Sequence, residues 1–170
     1  MIETTNQVRD FFKTMSEQMQ IDGKTPVFIP SLEQVNATRI NFRENFVFVL
    51  DLPEIRYNEL DYLTIYAKME VHFFIVKAVN IDKFNEQNEI KNLARILNEQ
   101  VIGYLAFCKN QTVEPFNALK FDSFSAIEIR GDSVGNIENC FGSRISFTLE
   151  LLPNFNQNLN YWKSEWQIQN

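Results

Sequence analysis

The chain has one histidine, His72, and that scarcity excludes every mechanism that needs two imidazoles, such as a His-rich zinc site. Its two cysteines, Cys108 and Cys140, stand far apart with no companion at metal or redox spacing, so both are expected as reduced thiols. Basic runs are missing as well. Arg39 and Arg43 are four apart, Lys68 and Lys77 are isolated, and the net charge is −6, so nucleic acid is not expected as a specific ligand. No stretch reaches the roughly eighteen consecutive apolar residues of a membrane span. The opening MIETTNQVRDFFK is polar and interrupted, unlike a secretory leader, and neither membrane insertion nor secretion is expected. Glycine is also sparse. Gly131, Gly135 and Gly142 do not follow a strand and open a helix, so they read as turn and bulge residues in a loop between strands, with no phosphate cradle.

What the chain does have is apolar bulk. With 170 residues, 45% of them hydrophobic and 16 of them Phe, it holds ample material for one core. We expect a single domain over residues 1–153 and a separate C-terminal tail over 154–170. The stretch Tyr62 to Val79 carries the strongest pattern. Leu63, Ile65, Ala67, Met69, Val71, Phe73 and Ile75 alternate with Tyr62, Thr64, Tyr66, Lys68, Glu70 and His72. That is the signature of a strand with one buried face. At about 3.3 Å per residue it would span some ~60 Å, against about 30–35 Å for a compact domain of this size. Such a strand bends or projects, and we read it as an assembly element.

The other elements follow from simpler signals. Thr4 through Met19 reads as a helix with a Thr4–Gln7 capping box and Val8, Phe11, Phe12, Met15 and Met19 on one face, stopped by Gly23. Lys24 to Asn36, with Pro26 and Pro30, reads as an extended connector, because proline forbids a central strand. Thr38 to Arg43 and Phe46 to Leu50 read as two short strands, and Asp51 to Asp61 as a loop. Asp82 is expected to cap a second helix running to about Phe107. Its buried stripe is Ile90, Leu93, Leu97, Val101, Tyr104 and Leu105, with Lys91, Asn98 and Glu99 facing away. Gly103 weakens its last turn by up to about 1 kcal/mol, a concession that would let a strand approach closely. Leu119 to Arg130 and Ser143 to Leu151 read as the final strands. The order α-β-β-β-α-β-β predicts an α+β fold with helices packed on a mostly antiparallel sheet.

Three constellations could carry chemistry or contact. His72 as a lone base would need a nucleophile nearby, and no nucleophile-elbow pattern is present, so a structural or interface role is expected. Asp51, Glu54, Glu59 and Asp61 cluster before the long strand and could bind Mg²⁺. The only Glu-x-Lys, Glu89-Ile90-Lys91, falls on a helix instead of the strand a metal-dependent nuclease would use, and a solvated acidic loop is expected. Tyr161, Trp162 and Trp166 form a short aromatic cluster in an Asn/Gln-rich tail, suited either to a partner's groove or to the protein's own surface.

The order of elements, the long third strand and the closing segment CFGSRISFTLELLPN (Cys140 to Asn154) together resemble the tail-terminator and neck-ring proteins of tailed bacteriophages. The resemblance implies a structural virion protein, made in the host cytoplasm, that closes a homomeric ring between head connector and tail. It implies no catalytic residues and no cofactor; the expected partners are the chain itself and neighbouring connector or tail-tube proteins. From the polar face of the long strand and the aromatic cluster of the tail, and not from the resemblance, the expected interface residues are Tyr62, Tyr66, Lys68, Glu70, His72, Tyr161, Trp162 and Trp166. Two alternatives stand beside it: a metal-dependent hydrolase or nuclease using the Asp51 to Asp61 carboxylates, and a free-standing α+β module binding an apolar ligand.

Overall fold

Period-two alternation organises the molecule around one strand. The structure, a computed structural model, describes residues 2–37, 41–52, 55–59, 65–135 and 137–151. Helix α1 (Ile2–Gln18) is followed by a short strand β1 (Val27–Ile29) and a 3₁₀ turn at Leu32–Ala37. Next come β2 (Val47–Asp51), β3 (Ile55–Glu59) and β4 (Ile65–Ala78). Helix α2 (Phe84–Asn110), a 3₁₀ turn at Phe116–Ala118, and strands β5 (Leu119–Val134) and β6 (Ile137–Leu151) complete the order.

Strand β4 is central. β6 pairs with it antiparallel from Ala67↔Leu151 to Ala78↔Cys140. On its other side β2 and β3 lie end to end, and the register slips by one residue between Asp51↔His72 and Ile55↔Met69. β1 adds to β2 in parallel and β5 to β6 antiparallel, giving the order β1-β2-β4-β6-β5 with β3 beside β4. The fold is α+β: two α-helices on a mostly antiparallel open sheet of six strands, counted among the described residues.

The alternation sorts side chains onto two faces. Met69, Val71, Phe73 and Ile75 of β4 join Phe48 and Leu50 of β2 and Ile145, Phe147 and Leu149 of β6 under the helices. Phe73 lies 4.5 Å from Phe12 of α1 and 5.3 Å from Phe48, ring centroid to centroid, so aromatic packing ties the first helix to the sheet. The opposite face has a smaller core of Ile29, Val47, Val49, Val76, Ile129 and Cys140, capped by Leu32, Val35 and Phe42. β2 is therefore buried on both faces, which is why Phe46 to Leu50 carries no polar alternation.

Several expectations are corrected. The long strand is Ile65–Ala78 in the described residues, and residues 67–78 pair along their full length with β6, so this part runs inside its own sheet. Asn41–Arg43 is a turn and not a strand, while Thr38 to Ile40 lie outside the described residues. Between Pro26 and Pro30 the supposed connector forms β1, on the sheet edge where flanking prolines are tolerated. The supposed loop before β4 contains β3, whose pairing with β4 overrides its weak pattern. Thr4 lies inside α1 and cannot cap it, and α2 starts from Lys83 without a side-chain cap, so Asp82 does not serve. Gly131 and Gly142 belong to β5 and β6 and not to a loop; the register shifts between Arg130 and Asp132, so the bulge reading holds at Gly131. On α2, Tyr104 is 50% exposed while Asn98 is 2% exposed, the reverse of the expected stripe.

Two glycines on these elements should respond in opposite ways. A Cβ on Gly142 would sit 2.0 Å from the Ile75 carbonyl oxygen, at φ +151°, so Gly142→Ala is expected to cost about 2–4 kcal/mol. A Cβ on Gly103 meets nothing within 4 Å, which also removes the expected strand approach there. Among the described residues nothing opposes a Cβ at Gly103, and helix propensity alone favours Gly103→Ala by about 0.5–1 kcal/mol. Urea denaturation of the two variants checks both signs.

Candidate functional site on the open sheet face

Lys68, Glu70 and His72 alternate with the core residues of β4, so the pleat turns all three to the face opposite the helices. Among the described residues, the 3₁₀ turn at Leu32–Ala37 covers one end of that face. Beyond it the strands bring together a polar field. Asp51 of β2 stands opposite His72 of β4, which stands opposite Ser146 of β6. His72 Nδ1 and Ser146 Oγ are 2.7 Å apart, a hydrogen bond. Next along the strands, Glu70 faces Thr148 and Lys68 faces Glu150, whose carboxylate accepts from Lys120 of β5 at 2.8 Å. On the other side of His72, the Arg144 guanidinium lies 5.9 Å from the Phe74 ring centroid, a cation–π contact, with its buried Nε unpartnered.

Three of the expected interface residues therefore share one surface, and the structure adds Arg144, Ser146 and Glu150, none of which the sequence singled out. Pairing register was the missing signal, because it alone shows which strand lies next to which. Tyr66 is in β4, paired with Asn58. Tyr62, Tyr161, Trp162 and Trp166 lie outside the described residues, as do Glu54 and Asp61.

The Ser146–His72–Asp51 row supplies the nucleophile that the sequence alone did not place near His72. It lacks the rest of a hydrolytic site. No His72–Asp51 hydrogen bond forms among the described residues, and strand pairing occupies the backbone around Ser146 and His72, which are opposite each other in the ladder. An oxyanion hole needs free backbone donors aimed at one point, and a flat ladder offers none there. No group of three or more His, Cys, Asp or Glu side chains placed to hold a metal ion occurs among the described residues.

A second polar feature is a cleft of about 450 Å³ between α2 and the outer strands, lined by Asn88, Lys91, Asn92, Arg95, Ala126 and Glu128 among others. Burial pushes the Glu128 carboxyl up, but hydrogen bonds from Lys91 and Arg130 outweigh it and hold the group below its ordinary value. Lys91 Nζ reaches Glu128 at 3.2 Å and Arg130 Nε at 3.1 Å, so Lys91 bridges to the sheet instead of facing away. Asn98 likewise turns inward and donates to Ser143 Oγ, which donates to the Ile127 carbonyl at 3.3 Å.

The two thiols sit on opposite faces of the sheet, Cys108 in the helix-side core and Cys140 in the smaller core, and neither is in a disulfide. No family model matches the chain, and no curated protein or solved structure does either. Among the described residues no helix is long and apolar enough to cross a membrane.

Two expectations follow. Burial pushes the Cys140 thiol from 9.0 up to about 11, so the folded state holds that proton more tightly than the unfolded chain. Its stabilising contribution is full below the unfolded value of 9.0 and is lost as pH rises toward about 11. Stability should fall across that window, and the fall should become shallower in Cys140→Ala; burial also pushes the Cys108 thiol up, which keeps part of the fall. Asp51→Asn with Glu54→Gln and Asp61→Asn should leave fold and melting within about 0.5 kcal/mol. Loss of a Mg²⁺-dependent nuclease activity in that triple variant would reverse the reading of the acidic segment.

Proposed function

We propose that the chain is a ring-forming structural subunit of a tailed-phage virion, of the neck or tail-terminator type, acting by contact with copies of itself and with adjoining connector or tail-tube proteins. The observation that carries this reading is strand β5. It lies at the sheet edge, runs from Leu119 to Val134, and is exposed on both faces over Ser125, Ala126, Ile127 and Glu128. Between its register shifts, Ser125–Arg130 pairs regularly with β6, and a regular edge left open among the described residues is a template for another chain. The opposite edge is built differently, from β1 and β3. A ring needs two unlike surfaces that meet head to tail, and this sheet offers them.

The polar field around His72 fits the same role. Lys68, Lys120 and Arg144 are interspersed with Asp51, Glu70 and Glu150, a mixed-sign surface that fixes register between proteins but gives phosphate no continuous cationic track. A net charge of −6 also suits a ring whose lumen passes DNA without retaining it.

A hydrolase is the second reading, favoured by the Ser146–His72 hydrogen bond with Asp51 adjacent. It is the weaker one, because among the described residues strand pairing leaves no free backbone donors aimed at the row.

Native mass spectrometry of the purified chain, alone and with candidate tail proteins, tests the proposal. A closed oligomer of one stoichiometry is expected, and Arg144→Glu should weaken it at least tenfold while leaving the subunit folded. A monomer under every condition, or ester hydrolysis abolished by Ser146→Ala, would favour the second reading.

A further inference from the structure

Helix α2 presents an apolar patch on its outer face that the described fold leaves bare. Phe11 of α1 stacks on Tyr104 at 5.5 Å and 13° between planes, and Tyr104 stacks on Phe107 at 6.2 Å and 13°. The ladder begins inside, where Phe11 lies 4.3 Å from the buried Phe116, and ends outside, with Tyr104 and Phe107 50% and 55% exposed. Beside it is Gly103, in mid-helix, where an added Cβ would meet nothing within 4 Å. No packing within the described residues calls for a glycine there, yet glycine is the poorest helix former after proline. A bare helix backbone flanked by two half-exposed rings is suited to a segment that comes in close.

The place where the chain leaves the described fold identifies that segment. β6 ends at Leu151, which packs against the same core cluster as Phe11. Leu149 pairs with Leu119, and the Leu119 carbonyl accepts a hydrogen bond from Lys109, near the C-terminal end of α2. The exit point therefore adjoins the end of α2 that carries Tyr104 and Phe107. Nineteen residues follow, 152–170, with both tryptophans of the chain among them. Tyr161 is ten residues beyond Leu151, a reach of up to about 35 Å when extended. A tether of that length holds its aromatic residues near α2 at an effective concentration of about millimolar order.

We propose that residues 152–170 fold back within the same chain and seat Trp162 and Trp166 on the outer face of α2, over Gly103 and against Tyr104 and Phe107. The tail is then a strap over the helix. The inference does not depend on the ring reading.

Because Trp162 and Trp166 are the only tryptophans, intrinsic fluorescence of the full chain reports on the strap alone. The wild type should emit in the blue-shifted range of buried indole and resist acrylamide quenching. Tyr104→Ser with Phe107→Ser should move emission to that of the urea-unfolded chain, with far-UV circular dichroism unchanged. Gly103→Glu should do the same while raising helix propensity, so a red shift there reflects displacement and not unfolding. Wild-type emission already at the solvent-exposed position, or a shift in neither variant, overturns the proposal. Tyr104→Cys with Trp162→Cys, oxidised and run on a non-reducing gel, should keep monomer mass. A ladder of cross-linked chains would assign the tail to a second copy and overturn it as well.

Discussion

The structure depends on the pairing of β4 with β6. Twelve consecutive residue pairs, from Ala67↔Leu151 to Ala78↔Cys140, hold two alternating strands in one register. A slip by one residue would turn Met69, Val71, Phe73 and Ile75 to the polar side and Glu70 and His72 into the core. Burying those four apolar side chains contributes on the order of 1.5–3 kcal/mol each, so the register is strongly specified. Gly142 sits within this ladder at the point where any side chain would collide with the Ile75 carbonyl. Everything else is arranged on that pair: α1 and α2 on one face, β2 and β3 on one flank, β5 on the other.

One consequence is a molecule with two unequal faces. The helix side is closed by Phe12, Phe48, Phe73 and Phe147, all fully buried, so much of the aromatic content fills the core there. Among the described residues the other side is sealed only at the end under Leu32, Val35 and Phe42. The rest presents polar groups of both signs. Such a surface is stable in water and becomes specific on contact, where unmatched charges would be penalised.

The central strand, the last strand and the apolar stripe of α1 were legible because each follows one period for many residues. Elements decided by neighbours were not. β1 has three residues between prolines, and β3, IRYNE, has no clean alternation; each exists because β2 or β4 offers it an edge. Tyr104 and Asn98 were assigned to the wrong sides of α2 on hydrophobicity. Burial there follows partners: Asn98 finds Ser143, and Gln87 donates to the Asn80 and Ile81 carbonyls at 3.1 and 2.8 Å. The polar row Asp51–His72–Ser146 joins three strands, and no local pattern could have brought them together. Its central member, His72, was legible from alternation as a residue of the strand's polar face.

Hydrogen–deuterium exchange, compared between the isolated chain and the proposed ring, tests most directly whether the sheet edge is a meeting surface. In the isolated subunit, amides of β4 and β6 should be protected, while those of β5 over Ser125–Glu128 that face away from β6 exchange quickly. On assembly the β5 amides should slow by at least tenfold, with β4 and β6 unchanged. Equal exchange across β5 in both states would contradict the account.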